Sequence, residues 1–229
     1  MKKFFTLAFV AVAAMFAGNA YADETVDGST NVVSIKVGDT DDLTKIPVTV
    51  YLNNPGVLIT CVEVNIEAPV AVTKWDGDYD DDEEAYVWNY DKGTRWKSNH
   101  TATITPGTKT HGENALFISV PSSTTQSFRD EEGAIITICF DGSELADGKY
   151  SVKMFDSFSV WSDKVTNITY TSPEMEAEFT IEGGKATAVN AIEAVAAAPA
   201  KGIYTIAGQP VAEPVKGQIY VIDGQTVKY

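Results

Sequence analysis

The chain has 229 residues, 44% of them hydrophobic, which is enough for one large domain or two small ones and too apolar for a disordered chain. With 32 acidic against 17 basic residues the formal charge is −15, a surface that repels phosphate backbones and anionic lipid and so speaks against nucleic acid as a partner.

At the amino end Lys2 and Lys3 precede an apolar run over residues 4–18, and Ala20-Tyr21-Ala22 offers a cleavage site before Asp23. This pattern predicts a secretory signal peptide over residues 1–22. The run is too short and too rich in small residues to be a membrane anchor, and no Cys follows the site to accept a lipid. Processing there removes two lysines and no acid, so the formal charge of the mature chain becomes −17 and no transmembrane segment is expected after it.

Residues 23–182 read as strands. Val33, Ile35 and Val37 alternate with polar residues, and residues 46–66 hold the clearest pair. There Ile46, Val48, Val50 and Leu52 share one face, Asn53-Asn54-Pro55-Gly56 supplies a turn, and Val62, Val64 and Ile66 form the next stripe. Later strands are expected at residues 116–120, 134–140, 150–154 and 177–181, separated by Asp141-Gly142, Asp147-Gly148 and Ser172-Pro173. No segment carries a helical stripe. Many short strands with polar turns predict an all-β, two-sheet antiparallel sandwich.

After Ile181 the composition changes. Gly183-Gly184-Lys185 and an Ala-rich run ending at Ala200 read as a linker over residues 183–200. Beyond it an internal repeat occupies residues 201–229: Ile203-Tyr204, Ile206, Gly208-Gln209 and Val211 recur as Ile219-Tyr220, Ile222, Gly224-Gln225 and Val227. Each copy is expected to form a hairpin about its Gly turn.

Three groups of residues are candidates for chemistry. Residues 76–84 carry seven acids, and Asp76, Asp78, Asp80 and Asp82 are the candidate ligands for Ca²⁺, a hard cation that takes six to eight oxygens. The spacing is not that of an EF-hand, which needs Gly where Asp81 stands and Glu where Val87 stands; a solvated acidic loop is the alternative. Around this loop lie Trp75, Tyr79, Tyr86, Trp88, Tyr90 and Trp96, including three of the four tryptophans. Trp75, Tyr79, Trp88 and Trp96 are candidates for a glycan platform, since sugar rings stack on aromatic planes. Tyr86, Trp88 and Tyr90 equally fit one buried face of a strand. Cys61 and Cys139 sit in strand-like runs on the side opposite the main apolar stripes; a cross-strand disulfide needs their Cα atoms to approach, which spacing alone does not provide. His100 and His111 lie in Thr-rich sequence, and no Gly-x-Ser-x-Gly or His-Glu-x-x-His occurs, so an enzyme is the class least supported.

Two resemblances follow from these motifs. Val33, Ile35 and Val37 with the Gly38-Asp39 turn, Ile46-Pro47-Val48-Thr49-Val50 with Asn53-Asn54, and Cys61-Val62-Glu63-Val64-Asn65-Ile66 resemble the opening of cohesin-like domains. Gly133-Ala134-Ile135-Ile136-Thr137-Ile138-Cys139-Phe140, Asp147-Gly148-Lys149-Tyr150-Ser151-Val152, Phe158-Ser159 and the strand closing at Ile181 extend the likeness over residues 31–182. It implies a jelly-roll sandwich, related to certain carbohydrate-binding modules, whose best-known members hold dockerins in assemblies that degrade plant polysaccharides. Glu67-Ala68-Pro69 stands where cohesins often carry Tyr-Asp-Pro, and residues 75–96 look like an insertion. The tail, with Lys201-Gly202-Ile203-Tyr204, Lys216-Gly217-Gln218-Ile219-Tyr220-Val221 and Val227-Lys228, resembles the C-terminal sorting domains of type IX secretion cargo in Bacteroidetes. That likeness implies recognition by outer-membrane export machinery after passage through the periplasm, then release or attachment at the cell surface. The combined expectation is a non-enzymatic, secreted or surface binding protein with a protein partner, the alternative being a glycan-binding module.

Overall fold

The computed structural model describes residues 24–27, 31–82, 84–107, 114–163, 166–189, 203–205, 219–222 and 225–228. The expected signal peptide, its cleavage site before Asp23 and most of the expected linker lie outside these residues. The chain divides into two compact units after Val189.

The strands of the first unit are, in chain order, β1 (Glu24–Asp27), β2 (Val32–Val37), β3 (Ile46–Asn53), β4 (Cys61–Glu67), β5 (Gly77–Asp80), β6 (Ala85–Trp88) and β7 (Asp91–Lys92). They continue as β8 (Thr103–Pro106), β9 (Ala115–Pro121), β10 (Glu132–Phe140), β11 (Gly148–Ser162), β12 (Asn167–Ser172), β13 (Met175–Glu182) and β14 (Lys185–Ala188). One sheet runs β2-β3-β10-β7; the longer one runs β1-β12-β11-β4-β9-β8, with β13 on the first half of β11 and β14 beyond it. Every pairing is antiparallel except that of β1 with β12. The unit is thus the all-β antiparallel sandwich that the period-two pattern predicts.

The core lies where that alternation puts it. Ile46, Val48, Val50 and Leu52 of β3 are fully buried, and so are Val62, Val64 and Ile66 of β4. Leu116, Ile118 and Val120 of β9 and Phe179 and Ile181 of β13 complete the facing layer. In β10 a register shift between Ala134 and Ile136 leaves both Ile135 and Ile136 buried. The edge of β2 is closed by side chains from the other sheet: Val33 N–H donates to Ser172 Oγ and Ile35 N–H to Met175 Sδ.

Residues 75–96, which the resemblance marks as an insertion, are fastened to β10: Asp76 N–H donates to Cys139 O, and β7 pairs with Ile136 and Thr137. Between these anchors the chain leaves as the β5–β6 hairpin and returns through Asn89 N–H to Asp76 O. At the other end, Gly183-Gly184 is not the start of a linker. Both glycines have positive φ, 58° and 81°, the geometry of a tight hairpin turn, and β14 pairs back on β13 with Ala186 buried.

The second unit contains β15 (Ile203–Thr205), β16 (Ile219–Ile222) and β17 (Gln225–Lys228) in one antiparallel sheet ordered β15-β16-β17. The second copy of the repeat forms the expected hairpin, with Ile222 opposite Gln225. The first copy's strand pairs with the second copy, Tyr204 opposite Val221; the rest of the first copy's expected hairpin lies outside the described residues.

Candidate functional site

The outward face of the long sheet carries an arrangement unlike a simple wet surface. The pairings place two rows across it. One runs Thr105, Phe117, Asn65, Phe155, and the other Thr103, Ser119, Glu63, Phe158, Thr171. These residues stand out of phase with the inward stripes of their strands, so Phe117, Phe155 and Phe158 are aromatic side chains on the side that period two assigns to solvent. All three are half-buried, while Asn65 and Ser119 between them are buried.

The rows are offset by a bulge. Pairing of β11 with β4 breaks between Phe155 and Phe158, and Asp156 there adopts φ 44°, a left-handed conformation that costs a non-Gly residue free energy. Ser157 Oγ donates to Phe155 O at 2.8 Å, and Asn65 Nδ2 donates to the Asp156 carbonyl at 3.2 Å. Asn65 Oδ1 is buried without a partner. Ser119 Oγ donates to Glu63 Oε1 at 3.0 Å, yet burial still raises the Glu63 carboxyl above its ordinary value. Beside the bulge lies a groove of about 690 Å³ whose charged lining is Glu63, Asp156 and Glu174. A second groove of about 530 Å³, also lined by Glu174, continues past Lys153, Phe155 and Glu67.

The residues singled out in the sequence lie elsewhere. Trp75, Trp88 and Trp96 are 2%, 8% and 8% exposed and belong to the core cluster, which removes them as an open glycan platform. Trp75 meets Phe140 edge-on at 5.4 Å, Trp88 stacks on Tyr86 at 4.9 Å, and Trp96 Nε1 donates to Ile135 O. The physical reason is the anchoring of residues 75–96 to β10, which turns these rings inward. Of the four candidates only Tyr79, 53% exposed, faces solvent, and it meets Tyr86 edge-on.

The four aspartates do not converge either. Asp76 lies 3.5 Å from Lys45 Nζ and accepts from Asn89 Nδ2 at 3.0 Å, while Asp80 Oδ1 accepts from the Asp82 N–H in the hairpin turn. Asp78 and Asp80 belong to β5. Among the described residues no group of three or more His, Cys, Asp or Glu gathers to hold a metal.

Cys61 and Cys139 are both free, in different sheets, and burial raises both thiols above their ordinary value, Cys61 well above it. His100 is 2% exposed, stacks on Phe128 at 4.1 Å and accepts at Nδ1 from the Lys97 N–H. His111 lies outside the described residues. No helix among the described residues is long and apolar enough to cross a membrane.

The groove residues that sequence reasoning missed had a signal of their own. Phe117 interrupts the polar phase of a strand whose inward stripe is Leu116, Ile118 and Val120, and Phe155 does the same beside Met154.

No protein-family model and no curated protein matches the chain. Solved structures similar to it include a cohesin module from a family 33 glycoside hydrolase of Clostridium perfringens, at 10% identity and a TM-score of 0.42, covering 65% of this chain and 94% of that one. A type I cohesin in complex with a dockerin, from Clostridium thermocellum, is 15% identical with a TM-score of 0.42, covering 64% and 97%. A non-cellulosomal cohesin from the archaeon Archaeoglobus fulgidus is 11% identical with a TM-score of 0.37, covering 61% and 89%.

Proposed function

We propose that the protein is a non-enzymatic binding module, exported from the cell, that docks a protein partner on the outward face of its long sheet. The observation that carries this is the pair of rows centred on Asn65 and Glu63: half-buried phenylalanines flank buried polar side chains on the face of a sheet that nothing in the core requires to be apolar. Aromatic side chains around a few fixed polar groups are the composition of interface centres. The outward face of the opposite sheet differs: Tyr51 lies under Lys36 Nζ at 4.7 Å, and Thr49 and Thr137 bond to each other at 2.8 Å. The sequence resemblance of residues 31–182 to cohesins makes a dockerin-type module the first partner to try.

Export is supported by the sequence of residues 1–22, and surface delivery by residues 201–229, where the Ile-Tyr repeat provides a sheet of its own. The glycan alternative loses its support with the burial of Trp75, Trp88 and Trp96.

The test is capture from culture medium by the immobilised full chain, compared with Phe117→Asp and Phe158→Asp variants and with Thr49→Asp on the other sheet. Proteins retained by the parent and by Thr49→Asp but released by the two phenylalanine variants support the reading. An identical set on all four chains rejects it.

A further inference from the structure

We infer that the groove beside the β11 bulge receives a basic side chain, lysine or arginine, presented by the protein partner. The inference rests on the docking role proposed for this face and adds the chemistry of what enters it.

Asn65 is 3% exposed, lines the groove, and has its amide nitrogen committed to the Asp156 carbonyl. Its Oδ1 is left buried with no donor. A buried acceptor without a donor costs roughly 1–3 kcal/mol, so the position is short of an N–H or O–H. The charged side chains around it decide which kind. Glu63, Asp156 and Glu174 line this groove, and Glu67 and Glu176 line its continuation. Among the described residues that line the two grooves the cation is Lys153, in the continuation, with its Nζ 3.8 Å from Glu176. A neutral hydroxyl donor would satisfy Asn65 but bring no charge to Glu63 and Glu174; an ammonium or guanidinium answers both needs.

The walls fit the rest of such a side chain. Phe117 and Phe158 flank the polar centre, and the aliphatic stem of lysine or arginine packs along apolar surface while its charged head stays with polar partners. A dication is a poorer fit, because it demands six to eight oxygens and among the described residues no three His, Cys, Asp or Glu are placed to hold one metal ion. A cation placed there opposes the burial that disfavours the charge of the half-buried Glu63 carboxyl.

The experiment is a selection of random peptides displayed on phage against the immobilised full chain, followed by binding of the enriched peptides to variants. The expected result is enrichment in lysine or arginine, at least tenfold weaker binding to Glu63→Gln, and a similar loss when the basic residue is replaced by acetyl-lysine or citrulline. Thr171→Lys tests the same point without touching a buried group, since Thr171 is exposed at the groove and its replacement sets a fixed cation there. Peptides that need Phe117 and Phe158 but carry no basic residue, or that bind Glu63→Gln and Thr171→Lys as well as the parent, overturn this inference and leave the docking face standing. Failure to enrich any peptide dependent on Phe117 or Phe158 overturns both.

Discussion

Arg95 holds together more of the sandwich than any other single polar residue described above. It is 1% exposed, and its guanidinium donates to the carbonyls of Leu52, Arg129 and Asp130 and to Asn54 Oδ1, at 2.6–2.7 Å. It therefore ties the end of β3 to the loop before β10, with Phe128 alongside at 5.9 Å. Replacing it by Met leaves several buried acceptors without donors, and the expected loss is about 3 kcal/mol or more in chemical denaturation; a loss under about 1 kcal/mol would show that water takes over those bonds. His100 makes a separate prediction. Burial, the largest cause, lowers its imidazole below the ordinary value, with the charge of Lys97 acting the same way. The unfolded chain then takes up a proton that the folded chain refuses, so this residue's contribution to stability falls as pH drops below about 6.5 and is unchanged at pH 8. Melting temperatures of the parent and His100→Gln should differ in their pH slope between pH 8 and pH 5, the parent falling more steeply. Parallel slopes would contradict this.

At the scale of elements, the strands most legible in the sequence are those with one clean stripe, such as β3 with Ile46, Val48, Val50 and Leu52, because only one phase of the pattern can be buried. β12 carries a shorter stripe, with Ile168 and Tyr170 alone alternating with Asn167, Thr169 and Thr171, and it pairs with β11 where that strand runs on past its bulge. The inward turn of Trp75 and Trp96 depends on hydrogen bonds to β10 from residues some forty to sixty positions earlier in the chain, a distance no local pattern reports. The candidate site was hidden in the same way, since its two rows draw on five strands and meet only through register. The hairpin turn at Gly183-Gly184 yields a direct prediction about the end of the domain. A chain ended at Glu182 loses β14, the buried Ala186 and the Thr40 to Ala186 bridge, and should melt several degrees lower than a chain ended at Val189. Equal melting temperatures would place the boundary back at residue 182.

For the whole molecule, the division after Val189 separates a sandwich with its own core from a small sheet built by the Ile-Tyr repeat. If residues 201–229 address the protein to the cell surface, their deletion should leave the melting temperature of the sandwich unchanged and retain the protein in the periplasm on cell fractionation; surface delivery without them would remove that role. Docking on the sandwich is tested most directly by hydroxyl-radical footprinting of the full chain with and without a captured partner. Oxidation of Phe117, Phe155 and Phe158 is expected to fall severalfold in the complex while that of Tyr51 and Tyr79 is unchanged. Protection of Tyr51 or Tyr79, with the three phenylalanines oxidised as in the free chain, would contradict it.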